Sequence, residues 1–241
     1  MKKLAIFVEG KTERIFVETL VRLCVNEKKL TITLMELSGG KNGKPRTIKV
    51  TYKTPEDKDQ EFHVQIMESG NDDRVASDLR DTYDRLVAGG FEVIIGIRDV
   101  RPGHTLDQVP LLRRASKLRM KTKPVDPLIV LAVLEVEAWF LAEHHHYQKI
   151  HPDLNCPRIL AAFGFDPATE DMTTRAAPNE DLHAIYQLEG LAYRKRGRHI
   201  ERTVNVLNYE YVYYEMIERF VDLKNLVNAL DGFFAPPVAT A

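Results

Sequence analysis

The chain has little cysteine, no long apolar run and almost no net charge, and each shortage removes a class of protein. Two cysteines, Cys24 and Cys156, in 241 residues cannot build a disulfide framework, and neither stands in a paired metal-ligand spacing, so a reducing compartment suits them. The apolar run behind the two N-terminal lysines stops at Glu9, short of the roughly 7 to 15 apolar residues of a secretory core. The run that starts at Pro127 ends at Glu135 and Glu137, far below the ~20 residues that span a bilayer. The expectation is a cytoplasmic protein with no membrane segment. A formal net charge of −1 names no partner, so a case for an anionic ligand has to rest on local clusters of positive charge. No internal repeat is visible, and 44% hydrophobic with 29% charged residues is ordinary globular usage rather than fibrous or disordered composition.

What is present is an alternation of apolar strands and amphipathic helices. Leu4 to Val8 reads as a strand buried on both faces, with Glu9 and Gly10 at its carboxyl end. A helix follows from Thr12, which can cap it, with Glu13 in the favourable first turn and Ile15, Phe16, Thr19, Leu20 and Leu23 on one face. Thr31 to Leu37, Thr47 to Tyr52 and Glu61 to Met67 read as strands, the first two separated by the loop Ser38 to Pro45. Asp73 to Ala88 is helical in spacing and stops at Gly89 and Gly90. Phe91 to Ile97 and Leu128 to Leu134 are apolar strands, and Leu106 to Met120 between them is a basic helix. Such an order predicts an α/β fold, a mostly parallel Rossmann-like sheet flanked by helices, with ligands beyond the carboxyl ends of the strands. The domain organisation expected is an α/β core over 1–150, a helical region over 151–231 with helices near Leu182 to Arg194 and Tyr209 to Leu230, and a frayed tail over 232–241.

Three of the apolar strands lead into acids: Glu9, Asp99, and Glu135 with Glu137. In a parallel sheet of neighbouring strands these carboxylates converge at one edge. Hard oxygen ligands of that kind suit Mg²⁺, or Mn²⁺ in its place, held by one or two carboxylates together with a substrate phosphate. The competing view is that acids simply cap strand ends and open helices.

Val8-Glu9-Gly10-Lys11-Thr12-Glu13 directly after the first strand resembles the opening motif of TOPRIM domains, found in topoisomerases, bacterial primases, the ribonuclease that matures ribosomal RNA and the overcoming-lysogenization-defect nucleases. Asp99 stands where that family has an Asp-x-Asp motif, and the resemblance covers roughly 1–145. It implies Glu9 as general acid or base or as metal ligand, and Asp99 as a holder of Mg²⁺. Glu137, within Leu134-Glu135-Val136-Glu137-Ala138-Trp139-Phe140, resembles a Glu-Ala-Trp segment of small TOPRIM-like proteins of anti-phage and mobile-element loci. The function implied is cleavage of DNA or RNA phosphodiesters, with an ATPase partner; the sequence itself contains no ATPase. Arg101 replaces the second aspartate. An arginine cannot bind a cation, so one metal with Arg101 on a phosphate is one outcome, and a module that binds nucleic acid or an ATPase without catalysis is the other. Nucleotidyl transfer as in primases lacks a second module for template or nucleotide.

Two basic clusters could follow a phosphate backbone independently of sequence. The first, Arg113, Arg114, Lys117, Arg119, Lys121 and Lys123, lies before the strand that leads to Glu137. Together with Lys11 and Arg101, its residues Arg113, Arg114, Lys117 and Arg119 are the expected substrate contacts, against the alternative of a solvated helix face. The second, Arg194, Lys195, Arg196, Arg198, His199 and Arg202 beside Tyr193, could extend the track. Gly39 to Lys44 and Gly10-Lys11-Thr12 both fail the P-loop pattern. His144, His145, His146 and His151 read as a surface segment rather than a metal site, Asn71 to Asp73 as a helix cap, and His104 as a loop residue. The oligomeric state, homo-oligomer included, stays open.

Overall fold

The computed structural model describes residues 1–40, 46–55, 57–100, 104–118 and 120–236. The elements in chain order are β1 (Lys2–Val8), α1 (Lys11–Cys24), β2 (Leu30–Gly39), β3 (Arg46–Lys53), β4 (Phe62–Glu68), α2 (Asp72–Ala88), β5 (Val93–Asp99), α3 (Val109–Leu118), β6 (Leu128–Ala132), α4 (Glu137–Ala142), α5 (His146–Ile150), α6 (Cys156–Phe163), α7 (Pro178–Gln187), α8 (Gly197–Val204), α9 (Tyr209–Tyr214) and α10 (Val221–Phe234). The six strands form one sheet in the order β3-β2-β4-β1-β5-β6. Every neighbouring pair is parallel except β2 with β3, a hairpin at the edge. The architecture is the expected α/β fold with a mostly parallel sheet.

The period-2 alternation of β1 explains how the sheet is covered. Leu4, Ile6 and Val8 face α1, where Phe16, Val17 and Leu20 close over them. Ala5 and Phe7 face the other way, towards Val75 and Leu79 of α2 and Leu112 of α3. A strand buried on both faces must be apolar at consecutive positions, which is why Leu4 to Val8 is an unbroken run. Gly96 of β5 leaves room for its neighbours, since a Cβ there would stand 2.9 Å from Ile129 Cδ1 of β6 and 3.3 Å from Leu79 Cδ1 of α2. With β1 central, the chain leaves it through α1 towards β2 on one side and returns through α2 to β5 on the other. The space beyond the carboxyl ends of β1 and β5 is therefore the switch point at which open α/β sheets bind ligands.

The helices beyond His151 pack on the α1 side of the sheet. Leu182, Ile185 and Tyr186 of α7 and Leu223, Leu226 and Leu230 of α10 belong to the same apolar cluster as Leu4, Phe16 and Trp139. That cluster crosses the boundary expected near residue 150. Among the described residues no helix is long and apolar enough to cross a membrane.

Four local expectations are corrected. First, α1 begins at Lys11 with Gly10 at the cap position, so Thr12 is a buried first-turn residue. Second, α7 stops at Gln187 rather than running to Arg194, because Gly190 adopts φ 66° and the Leu191 N–H returns to the Tyr186 carbonyl at 3.0 Å, a glycine stop that only a residue without Cβ adopts freely. Third, the stripe from Tyr209 to Leu230 is divided. After α9 comes a short turn over Met216–Glu218, and α10 restarts behind an extended Phe220 (φ −126°, ψ 101°). Buried Met216 and Phe220, and an Arg219 guanidinium donating to the Ala168 carbonyl at 3.0 Å, hold this break. Fourth, 232–234 are not frayed. Phe233 and Phe234 pack edge-on against Phe62 at 5.6 and 5.0 Å, and Lys2 Nζ donates to the carbonyls of Phe233 and Ala235 at 3.3 and 3.0 Å, satisfying acceptors that a helix end leaves open.

Candidate metal centre at the carboxyl edge of the sheet

Glu9 follows β1 directly, and its backbone is fixed by the neighbouring strand connection, since Gly70 N–H donates to the Glu9 carbonyl at 2.7 Å. The chain then turns at Gly10 into α1. Side chains in a first turn lean back towards the helix N-terminus, and Glu13 does so: its Oε2 accepts from the Gly10 N–H at 2.9 Å, the carboxylate half of a capping box. This places Glu13 on the same side as Glu9. Asp99 ends β5, the parallel neighbour of β1, and one of its oxygens accepts from the Val136 N–H at 2.9 Å. One ligand oxygen from each of Glu9, Glu13 and Asp99 lies within 4.8 Å of the others.

Glu137 opens α4 after a tight turn from β6. That turn carries Leu134 at φ 65°, a left-handed conformation that costs a non-glycine residue of the order of 1–2 kcal/mol. It is held in place by the Val100 N–H, which reaches the carbonyls of Ala132 and Leu134 at 3.2 and 3.1 Å, and by burial of the Leu134 side chain. The fully buried Glu137 carboxylate accepts from the Tyr193 hydroxyl at 2.8 Å. Lys195 Nζ lies 3.0 Å from Glu137 Oε2 and 3.3 Å from Asp99 Oδ2. Glu137 is thus tied to the Glu9–Glu13–Asp99 group through one ammonium rather than sharing its closest approach.

Both Tyr193 and Lys195 come from the segment that the Gly190 turn leaves outside a helix. The segment turns tightly at Lys195, where the Arg196 N–H donates to the Arg194 carbonyl at 2.6 Å: Tyr193 is buried, the Lys195 ammonium reaches the acids, and Arg194 and Arg196 are exposed. Lys195 reaches the acids with about a third of its side chain, 35%, still in contact with solvent.

Among the described residues Glu9, Glu13, Asp99 and Glu137 gather beside the Lys195 ammonium, with the Glu135 charge also acting on Glu137 and Lys195. Burial pushes the Glu13 carboxyl up to about 7, the Glu137 charge adds to the rise, and Lys195 opposes it. Asp99 is held well above the ordinary carboxylate range by burial and then by Glu13. Glu137 is raised by burial against the pull of Lys195. For Lys195 burial works to lower the value, yet Glu137 and Asp99 outweigh it and keep the ammonium charged. Burial and mutual repulsion of these carboxylates favour uptake of protons or of a cation. The donor set, all carboxylate oxygen and converging within 4.8 Å, fits a hard divalent cation such as Mg²⁺.

Nearby acids are engaged elsewhere. Glu68, at the end of β4, is paired with Arg14, and Glu135 Oε2 accepts from the Asn179 N–H at 3.1 Å in the first turn of α7. Of the expected substrate contacts, Lys11 Nζ pairs with Glu201 at 2.8 Å. Arg113 makes two bonds of 2.8 Å to the buried Asp222 carboxylate, which also accepts from the Leu131 N–H at 3.2 Å. Arg114 and Lys117 are exposed on α3. Arg101, Arg119 and the loop residues Lys41 to Pro45 lie outside the described residues. The histidine segment is only partly at the surface: His146 is fully buried beside Tyr147 and Tyr186. His151 approaches Asp153 and Glu189, but Arg158 sits 2.5 Å from Glu189 Oε1 and supplies the positive charge there.

Glu9, Asp99 and Glu137 were legible as strand-end acids. Glu13 carried a signal, a first-turn acid four residues after Glu9, that pointed as well to helix capping as to a ligand. Lys195 and Tyr193 were legible as part of a basic cluster but not as partners of the acids, because their approach to the sheet depends on the turn at Gly190. No family model, no curated protein and no solved structure matches the chain.

Proposed function

We propose that the chain is a divalent-metal-dependent phosphodiesterase of TOPRIM type acting on DNA or RNA. The observation that carries this reading is the convergence of Glu9, Glu13 and Asp99 within 4.8 Å beyond the carboxyl ends of two adjacent parallel strands, where such sheets bind ligands. Glu9, Glu13 and Asp99 would hold the ion, with Glu137 next to them. A bound Mg²⁺ supplies Lewis-acid neutralisation of a phosphoryl oxygen and a water of lowered pKa. Lys195, kept charged by Glu137 and Asp99, offers an ammonium where a phosphate would carry its negative charge. Tyr193 fixes the Glu137 carboxylate and so the place of Lys195. The TOPRIM resemblance implies that half-buried Glu9 is a general acid or base or a metal ligand. An ATPase partner, a cytoplasmic setting and a role in anti-phage or mobile-element loci rest on that resemblance alone.

The test is cleavage of single-stranded and duplex DNA and RNA with Mg²⁺ or Mn²⁺, comparing wild type with Glu9→Gln and Glu13→Gln. Metal-dependent cleavage abolished in both variants, with binding retained, supports the reading. A second reading, a TOPRIM-like module that binds nucleic acid or an ATPase without turnover, is favoured by Arg101 in place of the second aspartate. Binding by wild type with no cleavage under either metal selects it.

A further inference from the structure

The two basic segments make different use of their charge. In the first, Arg113 is spent on Asp222 and Lys121 on Asp84 at 2.7 Å. In the second, Lys195 turns into the carboxylate centre while Arg194, Arg196 and Arg198 are exposed, and among the described residues none of these three arginines makes an ion pair. The only acid between Leu191 and Asn208 is Glu201, and it is taken by Lys11. Arg202 is turned inward, its guanidinium donating to the Ala192 carbonyl and lying 5.4 Å from the Tyr186 ring centroid. Besides burial, the neighbouring Arg202, Arg196 and Arg194 charges lower the proton affinity of His199.

We infer that Arg194, Arg196 and Arg198 form the contact surface for the phosphate backbone of a nucleic acid, beside the carboxylate centre into which Lys195 of the same segment reaches. This rests on the proposed function for the class of polyanion. The chain turns tightly at Lys195, where the Arg196 N–H donates to the Arg194 carbonyl at 2.6 Å, so Arg194 and Arg196 flank the lysine whose ammonium enters the carboxylate centre. The planar guanidinium forks match phosphate oxygens. Because Tyr193 and Lys195 anchor the strip at both Glu137 and Asp99, a strand held on the arginines runs past the acids rather than away from them. Recognition of this kind reads charge and not base sequence.

The experiment measures binding of a fluorescent single strand and a duplex of about 30 nucleotides across a salt series in Ca²⁺, alongside cleavage in Mg²⁺. Wild type is compared with the triple variant Arg194→Gln/Arg196→Gln/Arg198→Gln and with Arg114→Gln/Lys117→Gln, all checked for unchanged thermal unfolding. The expected result is at least a tenfold loss in the triple variant, with the slope of log affinity against log salt reduced by about 2 to 3, and a smaller loss in the α3 variant. Binding by the triple variant within twofold of wild type, a larger loss in the α3 variant, or no binding by wild type overturns the inference. Wild type that binds through these arginines yet cleaves nothing refutes the nuclease reading and leaves the contact surface standing. Wild type that cleaves while the triple variant binds and cleaves equally well refutes the surface and leaves the nuclease reading standing.

Discussion

Two stretches of this chain are similarly rich in lysine and arginine, 113–123 and 194–202, and the fold treats them differently. The first is largely helical, so its charges are spread around a cylinder: Leu112 and Ser116 of α3 are buried, Arg113 turns to Asp222 at the flank, and Arg114 and Lys117 face solvent. The second turns tightly at Lys195 before α8 begins, the Arg196 N–H donating to the Arg194 carbonyl, so one lysine reaches a buried acidic group while its arginine neighbours stay outside. The lesson is that a charge run acquires a role from the backbone that carries it: a helix spreads charge around its axis, whereas a tight turn sends one side chain inward and leaves its neighbours in solvent.

The largest expected effect that sharpens this contrast is at Lys195. Lys195→Met removes the ammonium shared by Asp99 and Glu137, and breaking this group, a third of whose lysine is in solvent, costs about 2–3 kcal/mol at pH 8. The cost shrinks as pH falls towards 5, where Glu13, raised to about 7, is protonated and the upward shifts of Asp99 and Glu137 act in the same direction. Chemical unfolding at the two pH values measures both quantities. A loss independent of pH would break the account of Lys195 as counter-ion to those acids.

Next in size is Arg113→Ala, which leaves the Asp222 carboxylate buried with the Leu131 N–H as its remaining donor. Because the guanidinium is partly in water, the loss is about 1–3 kcal/mol, read as a lower denaturant midpoint with unchanged slope. Lys117→Gln on the same helix should stay within about 0.5 kcal/mol of wild type. Equal effects of the two substitutions would remove the distinction between inward and outward charge on α3.

Glu13 gives an effect of opposite sign. Its folded pKa of about 7 lies above the unfolded value, so the folded state holds a proton that the unfolded chain releases. The resulting penalty is absent below about pH 4.5, grows as pH rises, and is complete above about 7. Glu13→Gln keeps an acceptor for the Gly10 N–H and removes the ionisation. The metal-free variant is therefore expected to melt higher than wild type at pH 8 and close to it at pH 4.5. In wild type, added Mg²⁺ or Mn²⁺ must displace those protons, so the rise in Tm on adding metal should be larger at pH 8 than at pH 6. A metal response independent of pH, or retained in Glu13→Gln, would count against the carboxylates as its source.

How far the sequence alone reached follows the same physics. The double-faced strands at Leu4 to Val8 and Leu128 to Ala132, the helices of α1 and α2, and the parallel sheet they imply were legible because burial imposes a period. Glu9 and Asp99 were legible for the same reason, as the first acids after apolar runs. The lengths of α7 and of the C-terminal helices were not, since Gly190 in a left-handed conformation and the tertiary anchors of Arg219 and Phe220 override helical spacing. Nor were Tyr193 and Lys195, whose place depends on that same glycine turn. Phe233 and Phe234 read as a frayed tail because their partner, Phe62, is remote in the chain.

The most direct test of the central claim is anomalous diffraction from crystals equilibrated with Mn²⁺ at pH 8. The account expects a peak bounded by carboxylate oxygens of Glu9, Glu13 and Asp99, absent in crystals of Glu13→Gln. Density at other surface sites only, with Glu9, Glu13 and Asp99 empty and Lys195 still between Asp99 and Glu137, would contradict it.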